Sequence, residues 1–289
     1  MKLYSSAFKN GYAHLSILPA GSIFIKQDSL KEAQMSHMNR PIIIVGNWKM
    51  YKTIEESLDF LEQLLPLVKE SPDKIYLAVP FTAIKSISEK AQGSNVIIGA
   101  QNMNDADEGA FTGEIAAKML KDAGAQFVVI GHSERRILYN ETNETVNKKI
   151  KRALSEDLLP ILCVGETAEE HEADQTHAIL TTQLTQGLAD ISADLLKKLI
   201  IAYEPIWAIG SGQTATPENA QETHHYCRQL ISEQWGSDLA DQIPLLYGGS
   251  VKPDNAKALL EQTDIDGVLV GGSSLNADSF SKIVNYQNS

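Results

Sequence analysis

The segment "IAYEPIWAIGSG", Ile201 to Gly212, puts one glutamate, Glu204, directly after a strand-like apolar run and before a proline, a tryptophan and two glycines. A carboxylate at a strand end is most often a solvated loop residue or a helix cap. The residues after Glu204 point elsewhere. Pro205 stiffens the loop entrance, and Ile206, Trp207, Ala208 and Ile209 are apolar. Gly210 and Gly212 can absorb large backbone changes, a composition suited to a hinged lid. Such a lid would strip water from Glu204, disfavour its charged form and strengthen it as a base. The alternative is an ordinary hydrophobic loop packed on a neighbour.

Other polar residues sit at comparable places. His132, in "GHSERR" with Ser133 and Glu134, comes after "VVIG", where a strand ends and a short helical turn begins. A helix N-terminus lowers the pKa of a nearby imidazole, and a neutral imidazole can donate to a carbonyl or move protons between adjacent oxygens. A lone histidine is otherwise a satisfied core residue. Lys49, two residues beyond Asn47 in "GNWKM", is either a surface lysine or a cation that steadies a substrate anion or a developing enolate oxygen; Trp48 between them reads as packing. The paired glycines in "YGGSVKP", Gly248 to Ser250, and "VGGSSL", Gly271 and Gly272, offer backbone N–H groups and a hydroxyl to a phosphate. No metal-ligand cluster, Walker lysine motif or dinucleotide fingerprint is present, so the chemistry is expected to need no cofactor and no metal.

Residues this scattered need a scaffold that gathers strand ends. Short β-branched runs begin near positions 42, 75, 96, 127, 160, 199, 244 and 267. Most are apolar on both alternating positions, as strands covered on both faces should be. Helix-like segments lie between them: "TIEESLDFLEQLLPLVKE", with Thr53 and Glu56 at capping-box spacing, "GEIAAKMLKDAG", "ETVNKKIKRALSED", "THAILTTQLTQGLAD" and "TPENAQETHHYCRQLISEQWG". Strand alternating with helix eight times favours an α/β fold, a single (β/α)₈ barrel, over two doubly wound domains, and puts the site at the C-terminal strand ends.

Composition narrows the partners. The chain has 289 residues, 43% hydrophobic and 21% charged, enough for a full core. A formal charge of -12 argues against nucleic acid, no apolar stretch is long enough to span a membrane, and the two cysteines suggest a reducing compartment. Residues 1–40 are expected to be an extension that is disordered or not part of the native protein, with Met35 or Met38 as a candidate physiological start; residues 41–289 form the barrel domain. The loop Gln101 to Glu114, "QNMNDADEGAFTGE", is long for a compact fold, and its "GAFTG" turn suits insertion into another protein's groove.

Taken in order, "NWKM", "GAFTGE", "GHSERR", "AYEPIWAIGSG", "YGGSVKP" and "DGVLVGG" resemble the triosephosphate isomerase family across residues 41–289. The resemblance implies cofactor-free interconversion of dihydroxyacetone phosphate and D-glyceraldehyde 3-phosphate, a step of glycolysis and gluconeogenesis, by a homodimer in the cytoplasm. It implies Glu204 as base, His132 as electrophile, and Lys49 and Asn47 as the groups that hold the substrate and stabilise an enediolate. Gly210, Ser250, Gly271 and Gly272 match phosphate-binding positions. Ser133 matches the residue that holds the base when the lid is open, and Ile209 and Leu269 match an apolar clamp over it. Thr112, on the long loop, would approach the partner's Asn47 and Lys49. Tyr51, Gln213 and the first serine of "GGSSL" depart from the commonest pattern. Two other readings stand beside this one: a Schiff-base aldolase using Lys49, and a phosphate-binding barrel without catalysis.

Overall fold

The computed structural model describes residues 40–209 and 214–288. The expected extension, up to residue 39, lies outside the described residues, as do Gly210, Gly212 and Gln213. Eight parallel strands close into a barrel in sequence order: β1 (Ile43–Asn47), β2 (Lys74–Val79), β3 (Val96–Ala100), β4 (Phe127–Ile130), β5 (Leu159–Val164), β6 (Ile200–Tyr203), β7 (Leu245–Tyr247) and β8 (Gly267–Val270). β1 closes the ring by pairing with β8, Ile43 opposite Gly267. The two-sided apolar pattern has a simple origin. Ile43, Val45, Tyr76, Phe127, Val129 and Ile161 fill the barrel interior, where the Tyr76 and Phe127 rings stack at 4.9 Å. The alternate residues, such as Ile44, Ile75, Leu77, Val128 and Leu162, face the helices.

The helices match the sequence signals closely. α1 (Ile54–Val68) starts at Thr53, whose hydroxyl accepts from the Glu56 N–H while the Glu56 carboxylate accepts from the Thr53 N–H. The other long helices span Asn143–Ser155, Thr176–Gly187 and Pro217–Trp235, the last with Thr216 as N-cap and a proline in its first turn. One expectation is corrected: the helix read in "GEIAAKMLKDAG" covers only Ala117–Asp122. Residues 113–116 belong instead to the long loop, where Ile115 O accepts from the Asn104 N–H and Glu114 accepts from the Asn104 amide at 2.8 Å. No helix among the described residues is long and apolar enough to cross a membrane.

Candidate active site

At the C-terminal rim, β6 hands directly to Glu204, whose N–H donates to Val164 O at 2.7 Å. Two glycines make room for it. A Cβ on Gly165 would fall 1.8 Å from the Glu204 carbonyl oxygen, and one on Gly248 would fall 2.9 Å from Glu204 Cγ. The carboxylate is 2% exposed, with Oε1 2.9 Å from His132 Nε2 and Oε2 accepting from the Ser133 N–H at 2.9 Å.

His132 caps the helix Ser133–Tyr139, and its Nδ1 accepts from the Glu134 N–H at 3.3 Å. An acceptor at Nδ1 leaves the ring proton on Nε2, aimed at Glu204. The expected lowering of its pKa by the helix end is not the net result in this arrangement. Burial does push it down, but the Glu204 charge and hydrogen bond, with Glu134 behind them, raise it above the ordinary 6.5. Glu204 mirrors this. Burial pushes its pKa up, while His132, the Ser133 N–H and Lys49 together draw it below the ordinary 4.5. The pair thus rests as an ion pair or strong hydrogen bond, not as a desolvated free base.

Lys49 reaches the same mouth through an unusual backbone. Its φ of 52° lies in the left-handed region, which is costly for a residue with a side chain, and its N–H is fixed by Asn47 Oδ1 at 3.1 Å. Nζ pairs with Glu134 Oε1 at 2.7 Å. An ammonium held by a carboxylate is poorly prepared to attack a carbonyl, which counts against the aldolase reading. Trp48 is fully buried edge-on against Phe60, a packing residue as expected.

These groups open onto a cavity of about 380 Å³ bounded by Asn47, Lys49, His132 and Glu204 on one side and by Ser250, Gly271 and Gly272 on the other. Ile209 and Leu269 form its apolar wall. The 3₁₀ turn Ile206–Ala208 carries Pro205 to Ile209 along the rim, and Trp207 Nε1 donates to Glu166 at 2.8 Å. Thr112 is exposed and away from this cavity within the same chain. Gly210, matched to phosphate binding, is outside the described residues. Among the described residues no cluster of His, Cys, Asp or Glu could hold a metal ion.

Several residues at the site escape the sequence pattern. Val251, Lys252 and Ser273 also border the cavity, and the Ser273 hydroxyl donates to Val251 O at 2.9 Å, tying the loops after β7 and β8 together. Cys163, buried in the barrel interior, has its thiol pKa pushed far up by burial and by the Glu204 charge, so it is an uncharged neighbour of that carboxylate. Glu166 has no exposed surface and accepts from both Tyr203 and Trp207. Its signal was available: it is the first acid after the apolar run of β5, as Glu204 is after β6.

Comparison with known proteins agrees along most of the chain. The family model described as triosephosphate isomerase matches residues 42–287. A protein named triosephosphate isomerase from Protochlamydia amoebophila (strain UWE25) is 56% identical over 251 residues, covering 87% of this chain and 95% of that protein. One of the same name from Clostridium botulinum (strain Langeland / NCTC 10281 / Type F) is 48% identical over 247 residues, covering 86% of this chain and 100% of its own. Among solved structures, that of triosephosphate isomerase from Bartonella henselae superposes with a TM-score of 0.78 at 37% identity, covering 86% of this chain and 99% of that one.

Proposed function

The chain belongs to the triosephosphate isomerase family, and within that family's reaction we propose that Glu204 is the base, His132 the proton-shuttling electrophile, and Lys49 with Asn47 the groups that hold the substrate. The enzyme is an isomerase that interconverts dihydroxyacetone phosphate and D-glyceraldehyde 3-phosphate, a step shared by glycolysis and gluconeogenesis. The observation that carries the assignment is the buried Glu204 carboxylate, 2.9 Å from His132 Nε2 at the edge of the cavity that Lys49 also faces.

Glu204 Oε1 and His132 Nε2 touch, so a substrate carbonyl must enter between them. Once it does, Glu204 no longer raises the histidine pKa. Burial and the Glu134 N–H at Nδ1 then favour the neutral ring, whose Nε2 proton is donated to the substrate oxygen. Glu204, leaving the Ser133 N–H, takes a proton from one carbon of the triose and returns it to the neighbouring carbon. His132 moves a proton between the two oxygens, and the Lys49 ammonium stabilises the enediolate between these steps. The phosphate lies at Ser250, Gly271 and Gly272, with Gly210 as a further donor. Pro205 to Gly212 acts as the lid that excludes water and with it the competing loss of phosphate.

Residues 41–289 constitute the catalytic domain in this reading, and the enzyme is a cytoplasmic homodimer joined through the loop Gln101 to Glu114. Two free, buried cysteines support a reducing compartment. A second cavity of about 260 Å³ beside Lys49, bordered by Met50, Phe81, Gln101 and Tyr139, supports a docking place for the partner's Thr112 turn. A coupled assay of triose phosphate interconversion tests the base: Glu204→Gln is expected to lower kcat by about 10²–10⁴ or more with KM much less changed. Equal kcat in variant and wild type would refute it.

A further inference from the structure

Behind the lid entrance lies a carboxylate that the proton-transfer chemistry does not use. Glu166 is fully buried, yet both of its side-chain donors, Tyr203 Oη at 2.9 Å and Trp207 Nε1 at 2.8 Å, reach the same oxygen. Among the described residues Oε2 has no hydrogen-bond partner. The Glu166 backbone also holds the lid entrance, its carbonyl accepting from the Ile206 N–H at 3.1 Å. A buried carboxylate with an unmatched oxygen is costly and favours any cation that can approach it. The imidazole of His171, on the short helix Ala168–Glu172, is within reach: Nδ1 stands 3.5 Å from Glu166 Oε1, and the ring stacks on Trp207 with centroids 4.3 Å apart and planes 17° apart.

We propose that His171 is a positioning residue for the isomerase reaction, acting through Glu166 and Trp207 to set how firmly the lid entrance is held. The proposal rests on the lid reading of Pro205 to Gly212. Unprotonated, His171 gives Trp207 only a stacking surface. Protonated, it adds a cation against both the Glu166 carboxylate and the indole face, which strengthens the arrangement in which Glu204 is parked on the Ser133 N–H. Acid pH therefore slows departure of Trp207 from this position.

Among the described residues few charged or titratable groups surround the His171 ring. Glu166, which also accepts from Tyr203, faces it from the barrel rim, and the 3₁₀ turn Ile206–Ala208 presents Trp207 and no titratable group. On its own helix lie Glu169, Glu170 and Glu172, of which Glu170 is engaged with the Thr167 N–H, and Asp174 comes in the next turn. The helix Thr176–Gly187 contributes the Thr176 hydroxyl, 3.5 Å from Nδ1, and His177, which stacks instead on Tyr226. Among these described groups there is no lysine or arginine.

The test uses the full chain and reads Trp207 and turnover separately between about pH 5 and 8. Intrinsic tryptophan fluorescence is expected to titrate in wild type, because a protonated imidazole quenches a stacked indole, and to lose that step in His171→Phe and His171→Gln. The ratio of wild-type to His171→Phe kcat is expected to fall about two- to five-fold from the alkaline to the acid end, a change equivalent to under about 1.4 kcal/mol in barrier. Identical fluorescence titrations in wild type and both variants overturn the proposal, as does a kcat ratio that stays flat with pH. Trp207→Phe separates the two ideas. Unaltered kcat there removes the lid reading itself, whereas altered kcat there with a flat His171 ratio removes only the role of His171.

Discussion

The functional centre is a balance between one buried acid and its contacts. Burial is the largest influence on Glu204 and pushes its pKa up; His132 and the Ser133 N–H more than reverse it. The depressed carboxyl therefore adds stability that is present above its unfolded value, near 4.5, and is lost as pH falls through its folded value. His132, raised from 6.5, adds stability that is full below that value and is lost as pH rises through the raised one. The pair contributes most between the two ordinary values, from about pH 4.5 to 6.5. Replacing His132→Asn leaves burial opposed by far less, so the Glu204 carboxyl should titrate at higher pH than in wild type when monitored by carbon NMR of the side chain. A titration unchanged or shifted lower would show that the histidine is not what holds the glutamate charged. Sequence pattern places both residues at strand ends. It is silent on their contact, because the 2.9 Å approach depends on closing the whole ring.

At the scale of elements, legibility tracks burial on two faces. Each strand was readable because its interior and exterior sides are both apolar, Val45 inward and Ile44 outward in β1, and α1 was readable from the Thr53 and Glu56 cap. The helix in "GEIAAKMLKDAG" read too long because a propensity pattern cannot tell that Glu114 and Ile115 are engaged by Asn104. Nor could spacing foresee which glycines are indispensable. Gly165 looks like any residue after a strand, yet a Cβ there would meet the Glu204 carbonyl oxygen at 1.8 Å. Backbone against backbone cannot rotate away, so Gly165→Ala should cost about 3 kcal/mol or more and displace Glu204. Gly187, the last residue of the helix Thr176–Gly187, makes the opposite case: a Cβ would find Leu162 at 3.8 Å, an ordinary contact. Gly187→Ala should stabilise by about 0.5–1 kcal/mol through lower entropy of the unfolded chain. Denaturant unfolding of the two variants checks both signs, and a Gly165→Ala protein as stable as wild type would contradict the close approach.

At the scale of the whole molecule, several of the exposed apolar side chains among the described residues gather beside the active-site mouth. Met50, at 94% exposure, Phe81 and Tyr139 border the second cavity beside Lys49, and Tyr51 follows Met50 in sequence. On the long loop Phe111, 52% exposed, stands next to Thr112. A loop tip with an aromatic and a cavity with an apolar rim are complementary, and a two-fold axis would use each pair twice. Each chain carries a formal charge of -12, so association has to overcome mutual repulsion; apolar burial on the scale of about 800 Å² per partner can do so where screened surface charges cannot prevent it. The proposed dimer therefore predicts a specific failure. In an isolated chain Phe111→Asp replaces an exposed side chain and should change stability by no more than about 0.5 kcal/mol. In a dimer it removes an aromatic side chain from contact with the cavity's Met50, Phe81 and Tyr139 and puts a carboxylate beside its Lys49–Glu134 pair. Analytical ultracentrifugation should then show wild type at twice the mass of the chain and Phe111→Asp shifted toward one chain, with activity that falls on dilution. A wild type that sediments as a single chain at all concentrations while fully active would remove the dimer, and with it the role given to Thr112, but would leave the assignments of Glu204 and His132 standing, since both belong to one chain.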